Sequence, residues 1–187
     1  MKKGLTILLI LGGFSCNPNH LYHFTHYHIT AGYDPASTIL SANVRMVFVS
    51  GQAYHDSIVF RLNEHMEIQS LSAQELKYYE LEGGRLVLYI KEAVRPGDQL
   101  HVSMTYRGML GAVPGVANRK GPGTDQLLSP EDIWYPVSKG TGKLTYAVDM
   151  NLPEEYELGA PAIRKGRHWH WETEEPTSTI AMPGLRK

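Results

Sequence analysis

The feature that most constrains this chain is a strict alternation of apolar and polar residues, repeated in short segments between clusters of turn formers. A period of two sends successive side chains to opposite sides of an extended backbone. From residue 22 onward, Tyr22, Phe24, His26, His28 and Thr30 fall on one side and His23, Thr25, Tyr27, Ile29 and Ala31 on the other. Asp34-Pro35 starts a turn, because proline fixes its own φ and restricts the residue before it. Ile39, Val44, Met46, Phe48 and Val49 then mark a second strand. DSIVFRL alternates Ile58, Phe60 and Leu62 with Ser57, Val59 and Arg61, and MEIQSLSA continues with Met66, Ile68 and, after a small shift, Leu71. Gly83-Gly84 joins YYELE to RLVLYI as a hairpin, since glycine enters positive φ without a steric cost. Arg95-Pro96-Gly97-Asp98 is a further turn, leading into Leu100, Val102, Met104 and Tyr106 on one face. The glycine- and proline-rich stretch 108–125 reads as a long loop. Beyond it, KLTYAVDMNLP sets Leu144, Tyr146, Val148 and Met150 in phase, and RHWHWETEEP is expected to pair with STIAMPG. No segment sustains a helical period, and PEEYEL amounts to one turn at most. The expected fold is all-β, an antiparallel β-sandwich or open barrel without internal repeats.

Composition narrows what such a fold can do. The 187 residues suit one ordinary domain or two very small ones, and 42% hydrophobic residues exclude a mostly disordered chain. Eighteen basic against nineteen acidic residues give no field for gathering nucleic acid. The single cysteine excludes a disulfide framework and a cysteine-rich zinc module. That cysteine, Cys16, follows Lys2, Lys3, the apolar run Leu5 to Leu11 and the segment Gly12-Gly13-Phe14-Ser15. A basic start, a short apolar run and small residues before a break form the layout of a secretory signal, and the run is far short of the roughly 20 apolar residues that span a bilayer. GFSCN resembles a bacterial lipobox, although Phe14 stands where a smaller residue is usual. We therefore expect a signal over residues 1–15, lipidation at Cys16, a tether over 16–21 and a β domain over 22–187. The chain is then exported to the cell envelope, with the membrane as its partner through the anchor.

From YELEGGRLVLYIKEAVRPGDQLHVSMTYRGML the chain resembles the N-terminal domain of zinc aminopeptidases of the aminopeptidase N type, the gluzincin peptidases. Arg95-Pro96-Gly97-Asp98 stands at the family's turn, and Leu100, Val102, Tyr106 and Gly108 at its following strand. Tyr27-His28-Ile29 with Tyr33-Asp34-Pro35 is similar to the opening strand and turn, and Ser41 to Phe48 to the second strand. Ile133-Trp134-Tyr135-Pro136 resembles the tryptophan-proline segment of bacterial members. Lys143 to Pro153 resembles a later strand, and the spacing of Trp171 and Pro176 the strand closing the domain. The resemblance runs over roughly residues 22 to 183. It implies a saddle-like or sandwich β domain resting on a separate catalytic metallopeptidase domain. It also implies that a glutamine or glutamate near Gln126 and Glu131 touches the amino group of a peptide substrate. The family's chemistry needs H-E-x-x-H on a helix, where two histidines one turn apart hold zinc and the glutamate between acts as general base. Neither that motif nor the substrate-binding G-x-M-E-N strand occurs here, and Glu64-His65 lacks the second histidine. The expectation is a structural or recognition module with no catalytic residue, no metal ligand and no cofactor, whether an independent module or part of a split or truncated peptidase.

Other constellations in the sequence offer competing readings. Nine histidines are many for this length, and residues i and i+2 of a strand share a face. His26 with His28, or His168 with His170, would thus make a metal-binding pair, the basis of an alternative as a stand-alone enzyme or metal-binding protein. No carboxylate or cysteine falls near them at ligand spacing in the sequence, so surface exposure and packing are the expectation. Trp169 and Trp171 are expected to fill core rather than bind sugar. GAVPGVANRKGPG lacks the order of a phosphate-binding loop, and no nucleophile elbow appears.

Overall fold

The structure, a computed structural model, describes residues 22–50, 56–110, 133–138, 144–180 and 183–186, with side chains from residue 26. The alternating segments become β1 (Tyr22–Asp34), β2 (Ile39–Ser50), β3 (Ser57–Arg61), β4 (Met66–Ala73), β5 (Leu76–Glu82), β6 (Arg85–Ile90) and β7 (Gln99–Met109). They continue as β8 (Val137–Ser138), β9 (Leu144–Asn151), β10 (Glu157–Leu158), β11 (Ile163–Lys165), β12 (His168–Thr177) and β13 (Leu185–Arg186). Among the described residues there is no helix.

The strands form a seven-stranded sheet in the order β11-β12-β9-β1-β2-β7-β4, a four-stranded sheet β5-β6-β3-β8, and the short pair β10-β13. All pairings are antiparallel except β1 with β9. A parallel neighbour requires a long crossover, and here the chain from β2 to β8 supplies it while building the second sheet. One buried cluster joins the two sheets. Tyr27, Ile29, Leu40, Val44, Met46, Val102, Met104 and Val148 come from the larger sheet, and Ile58, Phe60, Leu86 and Leu88 from the smaller. Fully burying each such side chain contributes about 1.5–3 kcal/mol. The larger sheet therefore has an apolar inner face and a polar outer one, as in β2, where Leu40, Ala42, Val44, Met46 and Phe48 are buried and Ser41, Asn43 and Arg45 exposed.

Local signals hold where the chemistry is local. Gly83 and Gly84 have φ of 52° and 75° and close the β5–β6 hairpin. The shift expected before Leu71 is a bulge between Ile68 and Ser70. At Arg95-Pro96-Gly97-Asp98 the Arg95 amide donates to the Asp98 carboxylate at 2.8 Å, and Gly97 takes φ 89°. Two expectations are corrected. The partners of β12 are β9 and β11, not STIAMPG, because Trp169 and Trp171 bring β12 against Met150 and Val148. β7 also runs to Met109, into the stretch read as loop, because Ile39 pairs with Met109 and Met66 with Gly108. A Cβ at Gly108 would lie 2.0 Å from the His65 carbonyl oxygen, so the close approach of the turn into β4 beside β7 requires glycine.

Candidate functional site

Two arrangements stand out, one on each face of the larger sheet. On the inner face, buried aromatic side chains grip residues 133–138. The Tyr106 hydroxyl donates to the Trp134 carbonyl at 2.8 Å and the Tyr27 hydroxyl to the Pro136 carbonyl at 2.6 Å. The Tyr135 hydroxyl accepts the Ile180 amide at 3.0 Å, and its ring meets those of Tyr27 and Trp134 edge-on. Burial pushes the Tyr106 hydroxyl far above its ordinary range; burial, then the neighbouring Tyr135 and Tyr106, does the same for Tyr27. Both phenols thus stay protonated and serve as donors. Ile133, where this segment begins, has φ 49°, a left-handed conformation that costs a β-branched residue roughly 1–3 kcal/mol. Its carbonyl accepts the Asn63 amide at 3.1 Å, and at the end of β7 the Leu110 amide donates to the Thr38 carbonyl at 2.8 Å. The two chain ends that flank residues 111–132 are thus both held by backbone hydrogen bonds, one to the turn before β2 and one to the connection between β3 and β4.

On the outer face, histidines from two strands gather around one carboxylate. His170 Nδ1 lies 2.8 Å from Asp149 Oδ1, His168 Nε2 3.5 Å from the same oxygen, and His28 Nε2 3.6 Å from Oδ2. His170 Nε2 lies 3.4 Å from Glu172, and His26 Nδ1 lies 3.0 Å from the Thr145 hydroxyl. Both histidine pairs expected from the sequence therefore share a face. Asp149 joins them from β9, and sequence reasoning missed it because it lies far from either pair along the chain. The signal was present in KLTYAVDMNLP: if Val148 and Met150 face inward, Asp149 faces outward. Burial, then the neighbouring His28, holds the His26 imidazole below its usual value, while Glu172 acts the other way. No three of these groups among the described residues are arranged to hold a metal ion.

The remaining expected residues are soon placed. Trp171 is buried, and Trp169 packs partly buried against the core with Arg164 over its ring. Glu64 and His65 sit in the turn before β4, 3.9 Å apart and exposed. Gln69 stands where H-E-x-x-H would put its second histidine if His65 were the first. The residues present do not fit the family's zinc. Cys16, Gln126 and Glu131 lie outside the described residues.

No family model matches the chain, and no curated protein does. Among solved structures it is similar to an M1 zinc metallopeptidase from Deinococcus radiodurans, with 15% identity and a TM-score of 0.66. A mutant of that enzyme bound to a Tyr-Ser-Ala substrate gives 16% and 0.67. In both, the match covers 88% of this chain and 42% of the metallopeptidase. A two-domain M1 zinc metallopeptidase mutant bound to L-tryptophan gives 16% and 0.66. At this identity the likeness is one of fold: the chain has an all-β fold of the M1-peptidase type and spans less than half the length of these enzymes. The fold expected from the sequence resemblance is the fold observed.

Proposed function

We propose that the chain is a non-catalytic, N-terminal-type domain of an M1-like metallopeptidase, exported, lipid-anchored at Cys16, and acting as a structural or recognition module. The observation that carries this reading is the likeness of 88% of this chain to 42% of a zinc metallopeptidase, together with a sequence that holds no H-E-x-x-H. The aromatic grip on residues 133–138 supports it, because it fixes the exit of the segment holding Gln126 and Glu131, which would present a polar side chain to a peptide's amino group. The test is sedimentation of the full chain with a zinc catalytic polypeptide of the M1 type lacking its own β domain. Co-migration is the expected result, and independent sedimentation at micromolar concentrations contradicts it. Mass spectrometry of the cell-envelope protein checks the anchor: a diacylglyceryl adduct on Cys16 is expected, and an unmodified thiol refutes it.

A second reading, a metal-binding protein or self-sufficient enzyme, would rest on the histidines around Asp149, although no three of these groups among the described residues are arranged to hold a metal ion. Metal analysis of purified protein separates the two: tight one-to-one zinc supports the second, and substoichiometric zinc the first.

A further inference from the structure

The outer face of the larger sheet also carries a groove that the preceding reading does not use. Ladder register sets Asn151 of β9, Gly32 of β1, Ser41 of β2, Arg107 of β7 and Glu67 of β4 in one row across five strands. Gly32 and Ser41 have little side chain, so the row is a depression. Rows of larger side chains flank it: Thr30, Asn43 and Thr105 on one side, and Asp34, Ile39 and Met109 on the other. Two adjoining open clefts lie along it, about 430 Å³ over Gly32 and Ser41 and about 610 Å³ beside Glu67, and Ile39 and Arg107 line both. Strands lie roughly 4.8 Å apart, so the three steps from Arg107 to Asn151 span about 14 Å, the length of about four extended residues.

The chemistry of the groove is selective. Arg107 forms no salt bridge among the described residues, although Glu67 is its ladder partner. Met109, 50% exposed, and Ile39 form an apolar wall beside it. Beyond Arg107 the cleft is bordered by Glu64 and Glu67.

We propose that this groove binds the free C-terminal carboxylate of an extended peptide. The Arg107 guanidinium presents a planar fork of donors matched to a carboxylate, which a backbone amide cannot replace. The peptide's last residues lie over Gly32 and Ser41, with apolar side chains against Ile39 and Met109 and polar backbone near Asn151. Glu64 and Glu67 make the far side of Arg107 acidic, so a chain that ends at Arg107 fits better than an acidic chain that continues past it. This inference does not rest on the presence of a catalytic partner.

The test is fluorescence polarisation of the full chain with two randomised hexapeptide pools labelled at the amino end, one with free and one with amidated C-termini. The free-acid pool is expected to bind at least about tenfold more tightly, as a charge-assisted hydrogen bond implies. Arg107→Gln abolishes that preference and Arg107→Lys keeps part of it. Glu67→Gln tightens the free-acid pool by removing a nearby negative charge that repels the peptide's carboxylate. A Cβ at Gly32 meets nothing within 4 Å, so Gly32→Phe, with folding checked by its denaturation midpoint, is expected to fill the depression and weaken the free-acid pool. Equal binding of the two pools, binding by neither, or a preference that survives Arg107→Gln overturns the proposal. Tight binding of the amidated pool through internal acidic side chains equally refutes the C-terminal assignment.

Discussion

The two faces of the seven-stranded sheet are written in the same strands, one residue apart, and they divide the molecule's work. The inner face of β1 carries Tyr27, Ile29 and Ala31, all buried, and ties residues 133–138 to the core. The outer face of the same strand carries His26, His28, Thr30 and Gly32, which meet solvent, Asp149 and the groove at Arg107. A change of one position thus moves a substitution from stability to surface chemistry.

The largest expected effect lies inside. Trp134→Ala empties a fully buried site and should cost about 3–5 kcal/mol, read as a lower denaturation midpoint with unchanged slope. Gly108→Ala follows, because its Cβ has no room against the His65 carbonyl: a loss of about 1–3 kcal/mol is expected from the same denaturation curve. Tyr106→Phe leaves the buried Trp134 carbonyl without its donor and should cost about 1–2 kcal/mol, read from the same curve.

Effects on the outer face are smaller and depend on pH. His26 titrates below its usual value near 6.5 in the folded chain, so on acidification the unfolded chain takes up this proton first. Its contribution therefore lowers stability as pH falls from 6.5 through the depressed folded value, and has no effect above 6.5. His26→Gln should flatten that part of a stability–pH profile; an unchanged profile would separate His26 from the acid response. Arg107→Gln should change stability by no more than about 0.5 kcal/mol, and a larger loss would make this arginine part of the framework.

How far the sequence reveals this division follows from the range of each signal. Gly83-Gly84, Asp34-Pro35 and Arg95 to Asp98 act within a few residues, and the structure places turns at each. Which strands become neighbours depends on packing between distant segments. The parallel pairing of β1 with β9 was therefore not legible, and RHWHWETEEP was assigned the wrong partner. The histidine pairs His26–His28 and His168–His170 were legible from strand periodicity, but what joins them was not. His28, Asp149 and His170 meet only once β9 lies between β1 and β12, and Gly32, Ser41 and Arg107 make a groove only in register. Gly108 opens the stretch expected as a loop but stands on a strand in the family resemblance; the strand is observed, and the missing side chain admits the chain at His65.

The central proposal is that this chain, whose fold is like that of part of an M1 metallopeptidase, acts without a reaction centre of its own. Its most direct test is turnover of a panel of aminoacyl naphthylamides by the purified full chain, with and without added zinc. The account predicts no hydrolysis above the buffer rate under either condition. Zinc-dependent turnover proportional to the concentration of this chain alone would contradict it.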